Sequence, residues 1–196
     1  MGHRPGAAPP SDFAQRELAI ELVPARATFV RIHRADHAPL HFGTSDDNRF
    51  DDPERRYGVC YAARTLEGAC AETCLRPAGA ALVPLSQLAA RVVSLLAVAA
   101  ELRLVELQGT GLARMGATAA VSSGTYDISQ PWSRAIFVHP DGVDGIVYRS
   151  NHDNGELCVA LFDRCRTRLR AHPPTALLGD RGRLASLLDR YRVGLG

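Results

Sequence analysis

The chain has 196 residues, 46% of them hydrophobic and 22% charged, which suits one globular domain with a sizeable core. Its formal net charge of +2 at pH 7 is too small for a general nucleic-acid binder, so no direct nucleic-acid partner is expected. All 23 basic residues of the Lys/Arg class are arginines, so any phosphate held here must meet guanidinium, hydroxyl or backbone N–H groups.

Residues 1–11 are rich in Pro, Gly and Ala and read as a disordered segment ahead of a domain over 12–196. They lack the apolar stretch of a secretory signal, and no apolar run approaches the ~20 residues that span a bilayer. The five cysteines, Cys60, Cys70, Cys74, Cys158 and Cys165, are odd in number and sit in apolar runs. They read as small core residues of a cytoplasmic protein without a disulfide framework.

Ser11 and Asp12 offer a cap for a helix over Phe13–Leu22, ended by Pro24. ATFVRIHR at 27–34 alternates as a strand, with Arg31 and His33 on one face. Residues 35–56 form a polar loop of about 20 residues, long enough to suggest a functional role. The stretch YGVCYAARTLEGACAETCLR at 57–76 passes from a buried strand over 58–63 into a helix over 65–76 with Thr65 as N-cap. On that helix Leu66, Ala69, Cys70 and Thr73 make the inward stripe, and Glu72 falls on its flank. An acid there is ordinarily solvated, and a working role requires a cleft at that edge.

Residues 77–89 read as a turn and a short helix, and 91–96 and 102–107 as strands. Leu112–Met115 is a helical turn. A helix covers 129–139, with Asp127 or Ser129 as its cap and Pro131 in its first turn. Strands at 145–148 and 157–162 flank the polar loop RSNHDNGE, and 180–192 is an amphipathic helix. Strands and helices mix without regular βαβ alternation, which predicts an α+β fold.

No GxGxxG, P-loop, GxSxG or HExxH pattern occurs. His33, His37 and His41 are four apart, but on a strand-to-loop segment that spacing builds no metal site, and none is expected. What remains is a scattered set of polar residues: Arg31, Arg49, Tyr61, Glu72, Ser129 and Ser150. Each also has an ordinary structural role, as an ion pair, a loop charge, a core ring, a helix cap or a turn residue. Their types and spacing alone name no function.

Taken together and in order, FVRIHR, HFG, NRF, GVCYAARTLEGACAE, YDISQPWSRAIFVHP and DGIVYRSNHD...LCVALFDR resemble the RES-domain family, over about residues 28–165. The family is named for an Arg, a Glu and a Ser. The resemblance implies a compact domain related to the ADP-ribosyltransferase toxin fold. It also implies the toxin of a toxin–antitoxin pair, an enzyme that degrades NAD+ as glycohydrolase or phosphorolase. Alternatives are a mono-ADP-ribosyltransferase and a binding module without catalysis. NAD+ is then a substrate, with no further cofactor.

Carried over by residue, Glu72 matches the family Glu and Tyr61 the aromatic of the preceding strand. Arg31 and Arg49 both fit the Arg, and Ser129 and Ser150 both fit the Ser. Where many members have GGRW this chain has DNRF, leaving Phe50 as the ring. In this scheme Glu72, Arg31 and Tyr61 are catalytic, and Arg49, Phe50, Ser129 and Ser150 bind substrate. The expected partner is an antitoxin that blocks the active site, by an acidic segment if it plugs an Arg-lined cleft. A homodimer stays open, and no membrane partner is expected.

Overall fold

A computed structural model describes residues 8–75 and 81–196. Residues 1–7 of the segment expected to be disordered, and most of the expected turn at 77–80, lie outside the described residues.

The described residues form one large mixed sheet with helices packed against it, and a small two-stranded one. In chain order the described elements are β1 (Ile20–Val23), β2 (Thr28–Arg34), β3 (Val59–Ala63), α1 (Leu66–Cys74), β4 (Leu82–Val83) and α2 (Leu85–Ala89). Then come β5 (Arg91–Val98), β6 (Leu102–Leu107), α3 (Gly109–Met115), α4 (Ala120–Ser123) and α5 (Tyr126–Phe137). The last are β7 (Gly145–Arg149), β8 (Leu157–Phe162), β9 (Leu169–Ala171), β10 (Thr175–Ala176), α6 (Arg181–Tyr191) and β11 (Gly194–Leu195). The large sheet runs β1-β6-β7-β8-β3-β2-β5-β10, with β9 also on β5, while β11 and β4 pair separately. Its β6–β7 pairing is parallel and the rest antiparallel. This is the expected α+β class.

The two faces of the sheet carry separate cores. One gathers Ile32, Val59 and Ala63 with Leu66, Ala69 and Cys70 of α1 and Trp132 and Ile136 of α5. The other is built from strand and loop residues, among them Phe29, Cys60, Leu96, Leu104, Leu161 and Leu169. That second cluster draws on β1 and β6 at one end and β5 and β9 at the other, so the sheet must curl over it. The turn between β1 and β2 completes the curl, with Arg26 N–H bonded to Val98 O and Val98 N–H to Ala27 O.

Two of the helices expected from the sequence take a different form. The helix over Phe13–Leu22 is a 3-10 turn at Phe13–Gln15 followed by β1. Asp12 does not cap it; its carboxylate takes Arg16 instead. The open edge of β6 offers backbone partners to Ile20–Val23, and that pairing overrides a weak local cap signal. The second helix starts at Tyr126 after Thr125, so Ser129 lies inside it and caps nothing, and Pro131 sits mid-helix. The ring costs the bond to the Asp127 carbonyl. Burial of Trp132 and Ile136 on one face holds the helix together despite it.

β2 and β3 share only one registered pair, Val30 with Ala63, although β2 is matched along its whole length to β5 and β3 along its length to β8. Beyond that pair the two strands diverge. Gly43 of the long loop takes the vacated place beside Val59, as a bridge with two backbone bonds.

On the curled-in side of β2, His33 is buried. Its Nδ1–H donates to Arg34 O (2.9 Å), which leaves Nε2 to accept from the Ser94 hydroxyl (2.9 Å). Burial, reinforced by the charges of Arg31 and Arg91, holds its pKa below the ordinary 6.5. The folded state therefore binds fewer protons than the unfolded one in the window from 6.5 down to that lowered value. Stability contributed by neutral His33 is complete above 6.5 and is lost as pH falls through the window. The expected outcome is that urea midpoints of the parent fall across this interval more steeply than those of His33→Gln, measured pairwise at each pH.

Candidate active site

The divergence of β2 and β3 opens a cavity of about 610 Å³. That is within the range of small-ligand sites, ~300–1,000 Å³. Its walls come from Val30–Arg34 on β2, Tyr61–Ala63 on β3, the end of α1, Asn48 and Arg49 of the long loop, Tyr126 of α5, and Tyr148, Asn151 and His152. Among the described lining residues are four arginines, Arg31, Arg34, Arg49 and Arg91, and one carboxylate, Glu72.

Glu72 reaches this wall because α1 packs its other faces away. Thr65 caps the helix by accepting Gly68 N–H, and Leu66, Ala69, Cys70 and Cys74 turn into the core. Cys74 takes the place expected of Thr73, whose hydroxyl lies 3.5 Å from Ile32 O at the cavity edge. Ser150 donates its hydroxyl to Glu72 Oε1 at 2.6 Å, and Asn151 N–H donates to the same oxygen at 3.2 Å. The serine has no choice of direction. Its oxygen accepts His152 N–H (3.1 Å) and Asp153 N–H (3.2 Å), so its single proton goes to the carboxylate. The contact is charge-assisted and at the short end for O–H···O.

The two candidate serines are thereby separated. Ser150 sits against Glu72, whereas Ser129 is fully buried within α5, its hydroxyl 3.5 Å from the carbonyls of Thr125 and Tyr126. Ser129 does not line the cavity.

Both candidate arginines do. Arg31 alternates with Val30 and Ile32, so it faces the side of the sheet opposite α1. Its Nη1 donates to His41 O (3.0 Å) and meets Cys60 Sγ, spanning the gap between β2, β3 and the loop. Burial holds the Cys60 thiol up in its protonated form. Arg49 approaches from the other wall, donating to Gly124 O at 2.6 Å with its guanidinium 5.5 Å from the Tyr126 ring centre.

Tyr61 presents its ring to the cavity, but its hydroxyl is committed elsewhere. It donates to Asp51 Oδ1 (2.8 Å) and accepts Phe50 N–H (3.0 Å). Burial, then the charge of Asp51, holds its pKa well above the usual phenol value. Phe50 is fully buried, 4.8 Å from Tyr148 between ring centres, and offers no surface to the cavity.

Sequence reasoning passed over Asp51, which organises the long loop. It is 1% exposed. Its Oδ2 accepts from the Ser45 hydroxyl (2.7 Å), Asn48 N–H (3.1 Å) and Asn48 Nδ2 (2.9 Å). α5 clamps the same loop: Gln130 Nε2 donates to Asp46 O and Asn48 O, and the Ser133 hydroxyl to Phe50 O. Tyr126, Gln130, Ser133 and Phe137 are spaced three and four apart, on one helical face. Tyr126, Tyr148 and His152 were also missed as lining residues; the only signal was their place inside the motifs YDISQPW and YRSNH.

The sequence model of the RES domain matches residues 28–184. This chain belongs to the RES-domain family. A protein of Sinorhizobium fredii named probable toxin y4kH is 36% identical over 93 residues, which is 47% of this chain and 72% of that protein. A chain of the M. tuberculosis MbcT–MbcA toxin–antitoxin complex matches with a TM-score of 0.63 at 15% identity. That match covers 86% of this chain and 93% of the other, a likeness of fold. Among the described residues no helix is long and apolar enough to cross a membrane.

Asp51→Ala leaves the Tyr61 hydroxyl and the Asn48 and Ser45 donors without their acceptor. A buried donor so stranded costs about 1–3 kcal/mol, so Asp51→Ala should lower the unfolding free energy by at least that much. Chemical denaturation checks the value, and Tyr61→Phe, which loses one bond to Asp51 and the one from Phe50 N–H, should cost less than removing all of the Asp51 bonds.

Proposed function

We propose that this RES-domain protein is the toxin of a toxin–antitoxin pair and that it cleaves the nicotinamide–ribose bond of NAD+, with water or phosphate as acceptor. The observation that carries the reading is Glu72, held at a fixed place by Ser150 and Asn151 N–H in the wall of an arginine-lined cavity. The names of the S. fredii relative and of the M. tuberculosis complex support the toxin role and a partner antitoxin.

The chemistry fits the residues. Nicotinamide leaves as a neutral ring, taking the electron pair of its bond to ribose C1′, so it needs no proton from an acid. Positive charge then builds on the ribose as an oxocarbenium-like species. A carboxylate already oriented toward it interacts more strongly in the transition state than in the ground state, which is the condition for acceleration. Ser150 and Asn151 N–H both bond Glu72 Oε1 and so help to orient the carboxylate.

Guanidinium forks suit the pyrophosphate, and Arg31 and Arg49 approach the cavity from opposite walls, so they can grip it from two sides. The rings of Tyr61, Tyr126 and Tyr148 supply flat surfaces for the nicotinamide or adenine. Tyr61 also positions the loop that carries Arg49, because its hydroxyl holds Asp51 and Phe50 N–H. An antitoxin segment bearing carboxylates would compete for the same arginines.

The deciding experiment adds purified protein to NAD+ and follows free nicotinamide. Release without other macromolecules is expected; release that requires a lysate protein, which then carries ADP-ribose, would replace this reading with protein modification.

Glu72→Gln keeps the volume and removes the charge. The rate of nicotinamide release should fall by on the order of 10²–10³, with the melting temperature little changed. Ser150→Ala should lower the rate and Ser129→Ala should leave it near the parent value. A parent-like rate in Glu72→Gln would remove this carboxylate from the chemistry.

A further inference from the structure

The loop that holds Glu72 is itself held from outside the cavity. Residues 150–156 join β7 to β8 and run alongside α1. At one end Ser150 meets Glu72; at the other, Glu156 accepts from Thr65, the residue that caps the same helix. The loop is closed internally by Ser150 N–H on Glu156 O (3.0 Å), Glu156 N–H on Asp153 O (2.9 Å) and Gly155 N–H on Asp153 Oδ1 (2.9 Å). Gly68 allows the close approach: a Cβ there would lie 3.2 Å from Glu156 Cβ.

The last turn of α6 grips this loop by its acids. Tyr191 OH lies 2.9 Å from Asp153 Oδ2 and 3.3 Å from Glu67 O. A phenol has one proton, and the nearer, charged acceptor takes it. Arg190 Nη2 adds contacts to Glu156 Oε1 (3.2 Å) and Asp153 Oδ2 (3.6 Å). Burial would raise the pKa of Asp153, but the bonds from Gly155 N–H, Tyr191 and Arg190 outweigh it and hold the carboxyl below its ordinary value. Arg190 and Tyr191 lie beyond residue 184, where the family match ends. The anchor comes from the last turn of α6, outside the span that the family model matches.

We infer that Tyr191, assisted by Arg190, is a positioning residue of the site: by fixing Asp153 it sets where the Ser150 hydroxyl and Asn151 N–H hold the Glu72 carboxylate. The path is short and continuous. Asp153 gives its N–H to the Ser150 oxygen and its carboxylate to Tyr191, so any movement of one end reaches the other through a single residue. The inference rests on the proposed role of Glu72, while its structural part stands without any substrate.

Tyr191→Phe tests it, since the change removes one hydroxyl and keeps the ring. Two measurements are made on the full chain. Amide hydrogen exchange at His152 and Asp153, whose N–H groups bond Ser150, should quicken in the variant relative to β7 and β8. Nicotinamide release should fall about tenfold in kcat with KM for NAD+ held, as a displaced catalytic group loses rate rather than binding. Asp153→Asn, which keeps an acceptor for the phenol, should fall between parent and Tyr191→Phe.

Unchanged exchange at both amides in Tyr191→Phe overturns the inference, whatever the kinetics. Quickened exchange with parent-like kcat also overturns it, because the loop would then move without moving Glu72. A parent that releases no nicotinamide defeats the proposed reaction instead, and the exchange measurement still decides whether Tyr191 anchors the loop.

Discussion

The parting of β2 from β3 is the constraint on which the rest of the structure depends. A sheet strand that leaves its neighbour strands backbone N–H and C=O groups, and those must find other partners. Here the long loop supplies them at one point, where Gly43 bonds Val59 in both directions. Arg31 closes another part of the gap by donating to His41 O. What stays open becomes the cavity, with α1 on one side of the sheet and the curled second core on the other. The same event explains why Glu72 and Arg31, which belong to opposite faces, look into one space.

Keeping such a gap open requires rigid walls, and both loops are restrained by acids whose oxygens are filled by several donors. Asp51 organises the loop from within, and α5 clamps it from outside through Gln130, Ser133 and the stacking of Phe137 on Tyr57, 4.0 Å between ring centres. Asp153 and Glu156 do the same for the 150–156 loop. A buried carboxylate is costly unless its lone pairs are filled. Where they are filled by several short donors from different segments, the geometry is fixed more firmly than an apolar contact could fix it. The loops around the cavity are thus long in sequence but tied at several points each.

Most strands were legible because period-two patterns and buried runs report directly on sheet faces: 102–107 and 157–162 fall where the pattern put them. Thr65 as cap was legible for a local reason, its side chain answering Gly68 N–H three residues on. β1 was not, because only the edge of β6, about eighty residues away, makes Ile20–Val23 a strand. Motif order was enough to propose Glu72, Arg31 and Arg49, which line the cavity, and Ser150, which bonds Glu72. It could not separate Ser150 from Ser129, since that depends on which serine the loop after β7 brings to α1. Phe50 failed as a binding ring for the same kind of reason: a position inside NRF says nothing of whether the ring turns outward or, as here, against Tyr148.

The charges around the cavity set what can enter it. Arg34 and Arg91 are directly opposite on β2 and β5, an arrangement that repels. Asp36 relieves it in part through two bonds to Arg34, at 2.7 and 3.1 Å, but in an exposed setting where such pairs contribute little. Arg31 and Arg49 add two further positive charges, and Glu72 is the sole negative one among the described lining residues. His33 beside them is kept neutral by burial and by the charges of Arg31 and Arg91, which outweigh its bond to Arg34 O, so it adds nothing to the excess at neutral pH. A protonated His33 would face the charges of Arg31 and Arg91. The excess of arginines over carboxylates on the cavity wall favours an anionic ligand, and one carrying two phosphates more than one carrying a single carboxylate. Under the proposed reaction the cationic nicotinamide would stand at the Glu72 end of this field, beside the carboxylate proposed to stabilise cleavage of its bond.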